Sequence, residues 1–457
     1  MLVQVPGNLE GMSNDGGTGG TPENPDEQPN PFKGTPFEGL FGAGGGMPDL
    51  SNIDLNALMG QMQSLMQPYD GPVNWQLATD IARRTAAEQP DPSQDQAAQT
   101  RVADALRLAD HWLDETTSLP SGITTTAAWS RAEWIEETTA VWRVLVEPVA
   151  EHVVGAMGNA IPEEARAMAG PLIGMISQAG GAMFGSQVGQ ALGGLSADVL
   201  TASDIGLPLG PAGKAALLPH NVAEFARGLD VSEDDVLLYL ALREAAHQRL
   251  FAHVPWLRQH LLSAVEDFGR GVTIDISGIE ESLGSIDPSN PEAITEAINS
   301  GLFEPKQQPS QTAALARLET TLALVEGWVD EVVGQATGAR MPSAGKLQEA
   351  IRRRRAAGGP AEETFAALVG LELRPRRLRD ASALWGSLRT RQGHDGRDAV
   401  WAHPDLLPTA ADLDDPLGFR EDLGTVEALD EDEFDKALAD LLDGETPTDG
   451  RPEGSPE

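Results

Sequence analysis

The stretch between Ser232 and Pro255 limits the possible folds more than any other part of the chain. Val236, Leu237, Leu238, Tyr239, Leu240 and Leu242 run almost without interruption, and Arg243, Glu244 and His247 follow directly. A helix that is apolar on nearly every side is a buried helix. Three ionisable side chains are therefore carried into the interior, where each needs a partner. Ser232, with Asp235 three residues on, reads as a capping box, and Pro255 stops the helix. The rest of the fold must wrap this helix and supply those partners.

The surrounding sequence predicts a mainly α architecture. From Gly71-Pro72-Val73-Asn74-Trp75 onward nearly every long segment has a period near 3.6, with no run of alternating strands. Helices are expected at about 74–88, 93–117, 127–158, 162–200, 220–228, 232–254, 256–268, 291–301, 309–337, 343–357, 361–371 and 380–391. The segment Ala167 to Ala197 carries no charge, but Gln178, Gln187, Gln190 and its glycines give it low hydrophobicity. Gly181, Gly185, Gly189 and Gly193 recur every four residues, a bare stripe that lets another backbone approach. Two readings fit it, a buried central helix or a membrane-active one, and the polar content favours the first.

The ends differ in composition. Residues 1–50 are rich in Gly, Pro, Asn and acidic residues and read as a disordered head. Residues 51–70 hold a docking helix with Leu55, Leu58, Met59, Met62, Leu65 and Met66 at helical spacing. The main domain is expected over 71–410 and a largely disordered acidic tail over 411–457. From Asp412 to Glu457 there are seventeen acidic residues against Arg420, Lys436 and Arg451. With a net charge of -38, the chain is not expected to bind nucleic acid or anionic lipid. Lys346 to Arg397 is locally basic, with Arg352, Arg353, Arg354 and Arg355 in a row. That run reads either as a solvated face paired with the acidic tail or as an anion or partner site. The absence of cysteine excludes disulfides, Cys-zinc sites and thiol nucleophiles. No signal peptide or stable membrane span is read, and a cytoplasmic location is expected.

The segment Leu242 to His247 fits the zinc-peptidase pattern H-E-x-x-H at every defining position except the first, which is Arg243. In the intact motif two histidines on one helix face hold Zn²⁺, and the Glu takes a proton from the metal-bound water. Glu244 and His247 keep the base and the second ligand. A guanidinium stays charged and cannot bind a metal. Arg243 and His247 point the same way, with Glu244 about 60° away. About 80 residues downstream, Glu326 and Asp330 have the types and spacing of a third ligand and an orienting carboxylate. His220 precedes the motif helix and could fold back as a replacement ligand, whereas His253 faces away in a continuous helix. His111, His152, His260, His394 and His403 show no ligand spacing. Phosphate-loop and hydrolase-elbow motifs are absent from the sequence.

Several segments together resemble the actinobacterial family of zincin-like metallopeptidases of type 2. They are Gly71 to Trp75, Leu218 to Val222, Leu242 to His247 with Val254 to Arg258, Leu324 to Asp330, Leu368 to Leu373, and Trp401 to Thr409. The resemblance implies a mostly helical zincin-like fold and a metal-dependent peptidase or hydrolase. It also implies zinc held by His247 and Glu326, with Glu244 as general base. Two functions follow. One is a metal-dependent hydrolase with an altered site, completed by His220 or water and acting on a peptide or protein. The other is a catalytically inactive scaffold without metal that binds a protein partner, with Arg243 paired to Glu244 or Glu326 in the space of the ion.

Overall fold

The computed structural model describes residues 69–159, 170–270, 309–356, 364 and 377–420. All of them belong to one compact unit, Gly60–Ile276 with Glu304–Glu457. The head, residues 51–68 of the expected docking helix, the helix at 291–301, all but Thr364 of the helix at 361–371, and the tail from 421 lie outside the described residues.

The architecture is mainly α. Helices α1 (Trp75–Ala86) and α2 (Gln96–Leu113) begin at Asn74 and Asp95, whose side chains accept from the Leu77 and Ala98 amides. Such caps fix a helix start by satisfying an otherwise unpaired N–H. A short strand, β1 (Thr125–Ala128), precedes α3 (Arg131–Asn159). At the junction Ser130 and Glu133 form a reciprocal capping box: the Ser130 amide donates to Glu133 Oε2 and the Glu133 amide to Ser130 Oγ. The chain continues through α4 (Gly170–Ser196), β2 (Lys214–Leu217), α5 (Pro219–Ala226), α6 (Glu233–His253) and α7 (Pro255–Arg270). After the undescribed stretch come α8 (Pro309–Thr337), α9 (Ala344–Ala356), α10 (Leu378–Asp398) and the short α11 (Ala410–Asp414).

Residues 127 and 128, expected to open a helix, are in β1. That strand pairs in parallel with β2, Thr125 opposite Lys214 and Ala128 opposite Leu217. The helix expected to stop at 391 continues to Asp398 across a kink at Gly393, where φ is 73°. Helix α11 falls within the region read as tail, with Leu413 buried and Thr409 and Asp412 forming a capping box.

The glycine stripe of α4 lies on α1. A Cβ added at Gly181, Gly185, Gly189 or Gly193 would stand 2.8, 2.6, 2.5 or 2.9 Å from the carbonyl oxygen of Pro72, Asn74, Ala78 or Ala82. The stripe thus serves helix–helix contact in a folded core, and no described helix is long and apolar enough to cross a membrane.

Helix α6 is buried along most of its length. From Val236 to Leu250 nearly every residue is buried, including Arg243, Glu244 and His247. Ser232 caps it by accepting from the Asp235 amide at 3.1 Å. The second half of the expected capping box is used elsewhere, because Asp235 Oδ2 accepts from Ser343 Oγ at 2.6 Å, beside the start of α9. Helix α8 packs on α6, and α10 approaches α8 at Gly327, where an added Cβ would be 2.5 Å from that of Ala381.

Candidate functional site

Tyr239, Arg243 and His247 stand at i, i+4 and i+8 on α6, a single stripe. Opposite them on α8 are Glu326 and Asp330, also four apart. Two further elements close the site: residues 203–206, which follow α4, and the arginine run of α9. Arg243 is 4 % exposed, His247 1 % and Glu244 and Glu326 0 %, so the site is an interior polar layer.

Glu326 is its hub. Oε2 accepts from Arg243 Nη2 at 2.5 Å, while Oε1 faces His247 Nε2 at 3.0 Å and Arg355 Nη2 at 2.9 Å. Burial alone would raise the Glu326 carboxyl. The charges of Arg355, His247 and Arg243 outweigh it and pull the pKa down to about 2. His247 Nδ1 lies 2.9 Å from the Arg243 carbonyl oxygen. Both ring nitrogens therefore face oxygen atoms. The ring stacks on Phe251 at 5.9 Å. Gly206, at φ 79°, brings its backbone against the same carboxylate, where an added Cβ would be 2.9 Å from Glu326 Oε1. Only glycine tolerates both that approach and that backbone conformation.

The arginine run is a correction to the sequence reading. Arg353 alone among the four points outward, to Glu349, with 78 % of its side chain exposed. Arg352 Nη2 reaches Asp330 Oδ2 at 2.5 Å, Arg354 Nη1 reaches Asp204 Oδ2 at 2.9 Å, and Arg355 reaches Glu326 and the Asp204 carbonyl. These three cations neutralise internal carboxylates. Burial opposes ionisation of Asp204, but Arg354 and Arg355 hold its carboxyl below the usual range.

The other expected site residues are placed as follows. Glu244 turns away from Arg243: Oε2 accepts from the Ser203 amide at 3.0 Å and Oε1 from Gln248 Nε2 at 2.9 Å. Burial pushes its carboxyl above the ordinary value. Among the described residues Asp330 touches no histidine. Its Oδ2 accepts from Arg352, Gln348 Nε2 and Ser382 Oγ, the last two at 3.0 and 2.8 Å. His220 is on α5, 3.8 Å from Glu224, and is not brought to His247 or Glu326. His253 faces the Ser121 carbonyl, away from the layer. Tyr239, Ser203 and Asp204 were not among the expected residues, and Arg354 and Arg355 were expected only as part of the basic run. A signal for the arginines exists, because Leu347, Ile351, Arg354 and Arg355 share one helix face and the two apolar members are buried.

This donor set does not fit a zinc ion. The first ligand position holds a guanidinium, and the expected third ligand is occupied by two guanidiniums and an imidazole. Both nitrogens of the remaining histidine are engaged. Among the described residues no group of three His, Cys, Asp or Glu side chains is placed to hold an ion. A zinc ligand must present a free lone pair, and each candidate here is already hydrogen-bonded to a cation or an acceptor.

Residues 73–419 match the model of the zincin-like metallopeptidase family. Among solved structures, the chain is similar to a candidate hydrolase with a novel fold from Chloroflexus aurantiacus. The TM-score is 0.53 at 19 % identity, covering 76 % of this chain and 96 % of that one, a likeness of fold. No curated protein matches the chain.

Proposed function

The chain belongs to the zincin-like metallopeptidase family, and from that premise we propose that it is a member in which an arginine has replaced the metal. It serves as a non-catalytic scaffold for a protein partner. One observation carries this reading. The Glu326 carboxylate, which should complete a zinc site with His247, is held by Arg243 at 2.5 Å, with Arg355 and His247 on its other oxygen.

The chemistry follows from the charges. A zinc ion would bring two positive charges to this point, and Arg243 and Arg355 bring the same number on fixed stems. Glu244 would need a metal-bound water beside it to act as a base. It is instead engaged by Ser203 and Gln248 and is 0 % exposed. A metal-dependent hydrolase built on this site would have to break three ion pairs before binding its cofactor. Losing one ligand in the coordination sphere weakens binding far more than the ~10–100-fold that loss of an orienting partner costs.

The test is a fluorogenic peptide-library screen on the full chain, with and without added zinc, beside Glu244→Gln. The expected result is no cleavage above background in either protein. Zinc-dependent cleavage that disappears in Glu244→Gln would overturn the scaffold reading and restore the hydrolase.

A further inference from the structure

Three arginines of α9 are seated on three carboxylates contributed by other parts of the fold: Arg352 on Asp330, Arg354 on Asp204 and Arg355 on Glu326. The carboxylates are deep, with side-chain exposures of 1, 9 and 1 %. The arginines come from the solvent side, with exposures of 24, 28 and 12 %. All three carboxylates act on Arg243 electrostatically, so they form one acidic surface around the family's metal position. This is a receptor for arginines with its ligand supplied in cis.

The fit of that ligand is incomplete at the Arg352 socket. Asp330 Oδ1 and Arg352 Nε are buried and have no hydrogen-bond partner. Arg352 engages Asp330 through one nitrogen, although an arginine fork can grip a carboxylate through two. A buried polar atom left unpaired costs free energy. A guanidinium arriving at a better angle would pair with Asp330 Oδ1 and reach Tyr239. Apart from its arginines, α9 buries Ala344, Leu347 and Ile351 and is held by Ser343 to Asp235, Lys346 to Asp230, Gln348 to Asp330 and Glu349 to Arg379.

We propose that Asp204, Glu326 and Asp330, with Tyr239, form a docking surface for an arginine-bearing segment of a partner protein. That segment has the spacing R-x-R-R, and α9 occupies the surface as an intramolecular stand-in until it is displaced. The inference rests on the scaffold reading and names the partner's chemistry. The chain's net charge of -38 draws a basic segment towards it. Against this, α9 competes at the high effective concentration of a tethered ligand, on the order of millimolar for a short link. Access is therefore conditional on α9 leaving.

The test uses the full chain carrying Arg352→Gln, Arg354→Gln and Arg355→Gln together, and two synthetic peptides. One peptide has the sequence of residues 343–357, and the other has glutamine at the three arginine positions. The arginine peptide is expected to raise the variant's melting temperature saturably and to bind at least tenfold more tightly than the glutamine peptide. Equal binding of the two peptides, or none, overturns the proposal. Should the triple variant not fold, hydrogen exchange on the unaltered chain decides. Excess arginine peptide should speed exchange at the α9 amides while those of α6 are unchanged, and no change at α9 overturns the proposal. Zinc-dependent cleavage by the unaltered chain would refute the scaffold reading without altering either readout, so the two failures are distinct.

Discussion

At the scale of single residues, the account depends on what Arg243 does for Glu326. Removing one partner of a buried ion pair leaves an uncompensated charge, a loss on the order of 3–5 kcal/mol. Arg243→Ala should fall near the lower end of that range, because Arg355 and His247 remain on the carboxylate. Denaturant unfolding measures it, and a loss below about 1 kcal/mol would show that the pair is idle. The pH dependence carries a sign. Glu326 has a folded pKa of about 2, below its ordinary value of 4.5, so its contribution is present above 4.5 and lost as pH falls towards 2. Glu244 works in the opposite direction. Burial raises its pKa, so the stability tied to its protonated form is lost as pH rises through that raised value. Glu244→Gln should remove this second loss and flatten the stability profile above pH 4.5. An unchanged profile would mean that the Glu244 carboxyl titrates as if exposed.

At the scale of elements, the helices were largely legible and the strands were not. Helix α6 declared itself through its apolar run and its Ser232 and Pro255 boundaries. The glycines of α4 declared their contact through their spacing. The strands Thr125–Ala128 and Lys214–Leu217 have four residues each, of mixed Thr, Ala, Lys and Leu, and pair across about ninety positions. No local alternation could reveal them. The site was half legible. The resemblance placed His247 and Glu326 together, and the structure brings them to 3.0 Å. The sockets of α9 stayed hidden because a run of four arginines reads by composition as a solvated face. Only its continuity with Leu347 and Ile351 marks it as buried. The glycine stripe makes a paired prediction. Gly189→Ala puts a Cβ 2.5 Å from the Ala78 carbonyl oxygen and should destabilise by about 1–3 kcal/mol. Gly194→Ala, with nothing within 4 Å and the same helix around it, should stabilise by up to about 1 kcal/mol. Thermal unfolding of the two variants compares them directly, and equal effects would contradict the packing described for α4 on α1.

At the scale of the whole molecule, in the proposed reading, a zincin-like helical body surrounds a metal position filled from within. The polar groups that the buried α6 helix carries inward are answered by other elements: Arg243 and His247 by Glu326 of α8, Glu244 by the Ser203 amide after α4, and Arg249 by Asp110 and Asp114 of α2. The arginines of α9 complete the neutralisation of Glu326, Asp330 and Asp204. Such mutual pairing holds the helices in one arrangement, and it also removes the free lone pairs that a metal ion would need. Elemental zinc analysis of the full chain, after incubation with zinc and desalting, tests this most directly, with His247→Ala treated in parallel. The account predicts well under one tenth of an equivalent of zinc in both proteins. About one equivalent in the unaltered chain, lost in His247→Ala, would show that the ion displaces Arg243 and would contradict the account.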